Sequence, residues 1–302
     1  MSMNPLGALP ARFRRPRILI LGCGHVGERI GQLLRSKAHV VATTTTTDKV
    51  ASLRQMGLVP AVVDLDCPRS ASRWSGWAQR VVHAVPPNAS GSVDTRTQRA
   101  VQSLSLRGKL RAAVYISTTG VYGNRQGAWV RESQGLSPHT ARAIRRADAE
   151  RRWREHMPRW TVLRAPGIYS LDRSEGNPLE RLRRGAPTLL PECDVYTNRI
   201  HAQDLARGCC LAIWGRAPYR AIHLADESNS KSGDYLEAIA QAVGLPVPER
   251  ITLEQARERL TPMTLSFLTE SRRLITDRQA KDLKLHLQYP TVFEALAKKS
   301  LR

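Results

Sequence analysis

"RILILGCGHVGERIGQLL", residues 17–34, decides the fold. An apolar run of strand length leads into Gly22, Gly24 and Gly27 in G-x-G-x-x-G spacing. A helical pattern follows, with Val26, Ile30, Leu33 and Leu34 on one side. Gly22 permits a tight turn, Gly24 leaves room for a phosphate against the backbone, and Gly27 lets helix and strand pack closely. The helix N-terminus adds free N–H groups and positive potential. The same turn can exist without a ligand. The strand–turn–helix context favours a dinucleotide, its pyrophosphate held by Gly22, Cys23, Gly24, His25, Val26 and Gly27.

Outward from this unit the alternation continues. Strand-like runs are "HVVATT" (39–44), "AVVDL" (61–65), "RVVHAVPP" (80–87), "AAVYIST" (112–118) and "WTVLRAP" (160–166). Between them lie helical patterns, among them "DKVASLRQMG" and a segment near 93–107. "SPHTARAIRRADAERRWR" (137–154) reads as a helix with Ser137 as N-cap and Pro138 in its first turn. Repeated strand–helix units predict an α/β fold: a Rossmann-type doubly wound parallel sheet with a smaller C-terminal substrate domain. The expected organisation is a loose basic arm over 1–16, a dinucleotide-binding domain over 17–170 and a mainly substrate domain over 171–302. Residues 196–226 are expected to return to the first domain through the strand–helix pattern of "NRIHAQDLARGCCLAIW" and the strand "RAIHLAD".

A chain of 302 residues can bury a sizeable core. Its net charge is +21, from 47 Lys and Arg against 26 Asp and Glu, spread along the chain. With no zinc-finger or RNA-recognition signature, this reads as a basic, solvated surface with some anion affinity, and nucleic acid is not the expected partner. No run approaches a membrane span, and the first residues carry Pro and Gly where an export signal needs an apolar helix. The five cysteines form no C-x-x-C, which suits a reduced cytoplasmic compartment. No His/Cys cluster suggests a metal.

The second strand ends in Thr43–Thr47 with no acid for ribose hydroxyls. Thr44, Thr45 and Lys49 could instead accept a 2′-phosphate, a lean towards NADP over NAD. The threonines could equally be plain strand formers, with Asp48 a helix cap. Asp64, followed by Leu65, could meet an adenine amino group or cap a turn.

"YISTTGVYG" (115–123) completes a set with the glycine turn, "VVHAVPP", "LRAPGIYS" (163–170) and "NRIHAQDLARG" (198–208). In this motif order the chain resembles the extended and atypical short-chain dehydrogenase/reductases, more narrowly the NAD-dependent epimerase/dehydratase group. The resemblance covers about residues 17–226 and, more loosely, 271–296. It implies that Gly22, Gly24 and Gly27 contact the pyrophosphate and Asp64 the adenine. Ala84, Val85 and Pro86 would line the adenosine side, and Pro166 would lie near the nicotinamide. Thr118 would hydrogen-bond the substrate's reacting oxygen. The resemblance also implies Tyr-x-x-x-Lys on the next helix, but counting back from Glu150 places Arg142 and Arg146 there. Both leave one helix face. Arg146 can still donate to a ribose, whereas a guanidinium cannot replace a phenol as proton donor. Tyr122 and Tyr169 are the candidate relocated donors, with ordinary packing as the alternative for each. His201 and Asp204 match the motif that positions the second domain against the first.

Two functions follow. One is an NAD(P)-dependent oxidoreductase or epimerase-like enzyme acting on a small polar or anionic substrate such as a nucleotide sugar, with Thr118, Arg142, Arg146 and Tyr122 at its centre. The other is an inactive relative that binds NADP(H) as a sensor. The expected assembly is a monomer or homodimer.

Overall fold

The computed structural model describes residues 15–68, 70–74, 76–106 and 108–300. The expected basic arm lies outside them, save its last two residues. The strands that organise the molecule are β1 (Arg17–Leu21), β2 (His39–Thr44), β3 (Val59–Val62), β4 (Arg80–His83), β5 (Ala112–Thr118), β6 (Trp160–Ala165), β7 (Gly167–Tyr169), β8 (Arg199–His201) and β9 (Arg220–His223). The helices that pack with these strands or follow them include α1 (His25–Leu34), α2 (Lys49–Gln55), α3 (Thr95–Ser105), α4 (Ala141–His156), α5 (Pro178–Arg183), α6 (Ala202–Ile213) and α7 (Ser232–Val243), and four further short helices lie between Leu253 and Ser300.

Seven strands form one sheet in the order β9-β6-β5-β4-β1-β2-β3, with every pairing parallel. Side chains alternate across the strands and so feed two cores. Ile18, Ile20, Val40, Val82, Val114 and Leu163 pack with Ile30 and Leu34 of α1 and Leu205 and Cys209 of α6. Leu19, Leu21, Val41, Val81, Tyr115 and Val162 pack with Leu104 of α3 and Trp153 of α4. This is the doubly wound sheet expected from the alternation. The strand order reverses between β1 and β4, and in such sheets the crevice beyond the strands' C-terminal ends at that point takes the ligand.

β9 joins the main sheet at its edge beside β6, and α6 packs beneath it. β7 and β8 form a separate parallel pair, with Gly167 opposite Arg199 and Tyr169 opposite His201. A third, smaller core gathers Tyr169, Leu179, Leu182, Tyr235, Leu236, Ile239 and Val292. Among the described residues no helix is long and apolar enough to cross a membrane.

Three buried histidines are held neutral. His83 Nδ1 accepts from the Val85 N–H while Nε2 meets Thr97 Oγ1. His201 Nδ1 accepts from the Gln203 N–H as the cap of α6. His223 Nε2 lies 2.7 Å from the Tyr122 hydroxyl and its Nδ1 lies 2.8 Å from the Ile275 carbonyl. Burial pushes His83 and His223 down to about 3 and His201 to about 4. These pKa values are lowered on folding, so the stability they carry is present above pH ~6.5 and is lost as pH falls. At pH 5 each costs about 2 kcal/mol. Asp226, pushed up to about 7 by burial, works in the opposite direction and returns ~3 kcal/mol over the same interval. The expected net loss is ~3 kcal/mol between pH 8 and pH 5. Denaturant midpoints measured across that range check it, and a midpoint that stays flat or rises on acidification contradicts it.

Candidate functional site

The glycine turn sits at the sheet's switch point. Gly22 has φ +81°, and a Cβ there would come within 2.8 Å of Val85 Cγ2, so only glycine lets the turn approach β4 this closely. A Cβ on Gly27 would meet the Gly22 carbonyl oxygen at 2.9 Å. Gly24 differs: a Cβ there would meet nothing within 4 Å. It caps α1 without a side-chain bond, and the first intrahelical bond is Glu28 N–H to the Gly24 carbonyl. The N–H groups of His25, Val26 and Gly27 therefore have no helical acceptor. Cys23 adds only backbone, because its thiol is buried and pushed up to about 12 by burial and then by Glu28.

Thr43 is a residue that the sequence reading passed over as a strand former. Its Oγ1 accepts from the Gly22 N–H at 3.0 Å and its carbonyl from the Cys23 N–H at 2.7 Å, tying the turn to β2. Thr44 Oγ1 accepts from the Thr46 N–H, and Thr45 is exposed. Asp48 makes no side-chain cap for α2. Lys49 pairs with Glu28 at 3.1 Å. Asp64 caps its own turn through the Asp66 N–H at 2.8 Å. The side chain of Leu65 enters the core, because β3 ends at Val62 and the chain turns inward after it.

Ala84, Val85 and Pro86 follow β4 directly. The Ala84 N–H is held by Leu21, and the Pro86 carbonyl accepts from Arg96. At the end of β5, Thr118 Oγ1 accepts from the Gly120 N–H at 3.2 Å and caps the short 3-10 turn Thr119–Tyr122. That bond uses a lone pair and leaves the hydroxyl proton available.

α4 begins three residues later than expected. Thr140, not Ser137, is the cap, its side chain accepting from the Ala143 N–H, while the Ser137 N–H binds the Val121 carbonyl. Arg146 is buried and donates through Nη1 to the Tyr115 hydroxyl at 2.8 Å and the Ile116 carbonyl at 3.0 Å, with Val85 O at 3.5 Å. It therefore reaches the ends of β4 and β5. Arg145 is also buried and binds the Gly91 carbonyl. Arg142 is exposed and makes no hydrogen bond or ion pair with the described residues. Desolvation, then the charges of Arg146 and Arg145, lower its pKa below the ordinary guanidinium value. Further along, Arg151, Arg152 and Arg154 pair with Asp148, Glu155 and Glu150, so little of the helix's charge is free.

Tyr122, a candidate relocated proton donor, lies inside the protein. It is fully buried; its hydroxyl meets His223 and accepts from Arg164, and burial pushes it up to about 12. Arg164 in turn binds Glu150 through Nε and Nη2, and Ser117 Oγ donates to the same carboxylate at 2.6 Å. Tyr169 is buried in the smaller core and its hydroxyl has no partner. His201 stacks on Tyr289 at 3.8 Å, and the Asp204 carboxylate accepts the Gln288 and Tyr289 N–H groups, so both bind the last segment of the chain to α6. Pro166 lies between β6 and β7, beside exposed Gly167. Asp172, which no motif marked, bonds His25 Nε2 at 3.0 Å and also Arg29, joining the segment after β7 to the first turns of α1.

No family model and no curated protein matches the chain. Solved structures do. A conserved protein of unknown function from Silicibacter pomeroyi is 25% identical, with a TM-score of 0.81 over 95% of this chain and 98% of its own. UDP-glucose 4-epimerase from Thermotoga maritima, solved with UDP-glucose, is 15% identical with a TM-score of 0.75 over 95% and 100% of the two chains. UDP-glucuronic acid 4-epimerase from Bacillus cereus, solved with NAD, is 17% identical with a TM-score of 0.71 over 92% and 95%. In fold, a parallel sheet wound on both sides by helices, the chain is similar to these structures over more than nine-tenths of its length.

Proposed function

We propose that the chain binds a nicotinamide dinucleotide at the glycine turn and acts, as an oxidoreductase or epimerase-like protein, on a small anionic substrate such as a nucleotide sugar. The observation that carries this is the cradle at Gly24: open space, three N–H groups without helical acceptors, and a turn that only glycine permits at position 22. A diphosphate fits such a site by charge and by donor geometry. The Bacillus cereus epimerase, solved with NAD, supports the same class of ligand.

When bound, the nicotinamide would accept or donate a hydride. The chain's own residues supply the rest. Thr118 holds the substrate oxygen with its free hydroxyl proton. Arg146, fixed between the ends of β4 and β5, sits where a ribose would meet it. Arg142 adds an exposed positive charge at the start of the same helix. Residues 17–170 are read as the dinucleotide part, and 171–302, apart from 196–226, as the substrate part. Within the cofactor class, Thr44, Thr45 and Lys49 suit a 2′-phosphate, tempered by Glu28 beside Lys49. The ratio of NADPH to NADH affinity tests this directly.

A second reading, binding without turnover, is favoured by one observation. The Tyr122 hydroxyl is committed to Arg164 and His223, and Arg142 has no proton to exchange at ordinary pH. The test is Thr118→Val against Thr118→Ser. If the chain is an enzyme, the valine variant loses about 100-fold in kcat, as expected for one lost hydrogen bond to developing charge, and serine restores it. Cofactor affinity stays unchanged in both. Equal activity in valine and parent would remove Thr118 from the chemistry. No turnover in the parent across carbonyl, alcohol and nucleotide-sugar substrates would favour the sensor.

A further inference from the structure

β7 and β8 present Tyr169, Arg199 and His201 on one face, with Gly167 opposite Arg199. α7 lays Tyr235 over that face, its ring centroid 3.4 Å from the Arg199 guanidinium carbon. Arg199 is 9% exposed, yet among the described residues its only side-chain hydrogen bonds are to the carbonyl and hydroxyl of Thr197, and no carboxylate lies within ion-pair distance. Arg181 of α5, half-buried, makes no side-chain hydrogen bond or ion pair with the described residues. Arg181 precedes Leu182, which packs in the same small core as Tyr235; burial and then the charge of Arg199 lower the Arg181 pKa, while Asp226 and Asp194 act on Arg199 from beyond ion-pair distance. Around them are polar atoms with no partner: the hydroxyls of Tyr169 and Tyr235 and Asp226 Oδ2. Asp194 cannot balance the arginines, because its carboxylate is taken by the N–H groups of Val195 and Gly233 and by Arg250.

Buried guanidinium groups without a counter-charge are costly, and so are buried hydroxyls without acceptors. One ligand chemistry satisfies both deficits, an oxyanion, which accepts from the tyrosines and neutralises the arginines. We propose that Arg181 and Arg199, with the hydroxyls of Tyr169 and Tyr235, hold the phosphate or carboxylate group of a small-molecule substrate. Tyr169 lies at the end of β7, three residues after Pro166. Desolvation lowers the pKa of both arginines, and a bound anion reverses that penalty. Burial pushes Asp226 up to about 7, so this neighbour is partly protonated near neutrality and opposes an anion less than an ordinary carboxylate would. The inference rests on the reading of an anionic substrate given above, but its test needs no dinucleotide.

Calorimetric titration of the full chain with inorganic phosphate, glucuronate and UDP, at low salt, provides that test. At least one probe binds saturably. Phosphate or UDP binding with glucuronate inert assigns a phosphate, and the reverse assigns a carboxylate. Arg181→Gln, on a half-buried helix position, weakens that binding about tenfold or more, the loss of a charge-assisted bond, and leaves NADH and NADPH affinity and the melting midpoint unchanged. Arg199→Lys gives a second reading of the same loss, with its fold checked by circular dichroism. The absence of binding by all three probes, or equal binding by parent and Arg181→Gln, overturns the site. A parent that binds a probe but no dinucleotide leaves this site standing and removes the cofactor reading instead.

Discussion

Gly24→Val is expected to fold as the parent does and to lose at least about 100-fold in affinity for NADH and NADPH. The first half follows from backbone geometry. Gly24 has φ −88° and ψ −162°, extended values that a β-branched residue adopts readily, and no atom lies within 4 Å of its would-be Cβ. The second half follows from what that space faces. A valine side chain would stand where a phosphate must approach the N–H groups of α1. Two bonds to a charged group, each worth roughly 1.5–3 kcal/mol, would be lost. Gly27→Ala makes the contrast: its Cβ would press on the Gly22 carbonyl, so that variant loses both stability and binding. Titration by fluorescence, with a thermal melt beside it, separates the two. A valine variant that binds like the parent would remove the glycine turn from the site.

Glu150→Leu is expected to destabilise the protein by about 3–5 kcal/mol, because it leaves Arg164 charged, buried and unpaired. Glu150 is fully buried and Arg164 is 2% exposed. Desolvation alone would lower the pKa of Arg164, but the charge and hydrogen bonds of Glu150, with Tyr122, outweigh it and raise it. The partners do not separate cleanly, since Ser117, Arg154 and Tyr122 also lose contacts. The double variant Glu150→Leu/Arg164→Met should recover most of the loss, since replacing a whole buried pair by apolar groups is often near neutral. Denaturant midpoints of the two singles and the double close the cycle. A single variant costing less than about 1 kcal/mol would mean that water reaches the pair.

The parts legible in the sequence were those governed by local rules. β1, β2, β5 and β6 lie where their apolar runs end against turn residues, and the glycine spacing marks the switch point. β3 lies two residues earlier than its apolar run suggested. As the edge strand it leaves Val59 and Val62 exposed, so burial does not set its register there. α4 starts at Ala141 because Ser137 is drawn onto the turn at Val121. The roles of Thr43, Tyr122 and Asp172 were not legible, because their partners are distant in the chain. Tyr122, for example, meets His223 across 101 positions, and no motif spacing encodes that meeting. Arg199 stood inside a quoted motif, but its unbalanced charge shows only when α5 and α7 close over it.

Asp172 is 58% exposed at its side chain while it joins His25 and Arg29. Ions in the medium reach such a link easily, as they reach any phosphate at the helix end. Raising ionic strength therefore loosens the tie between the segment after β7 and the first turns of α1.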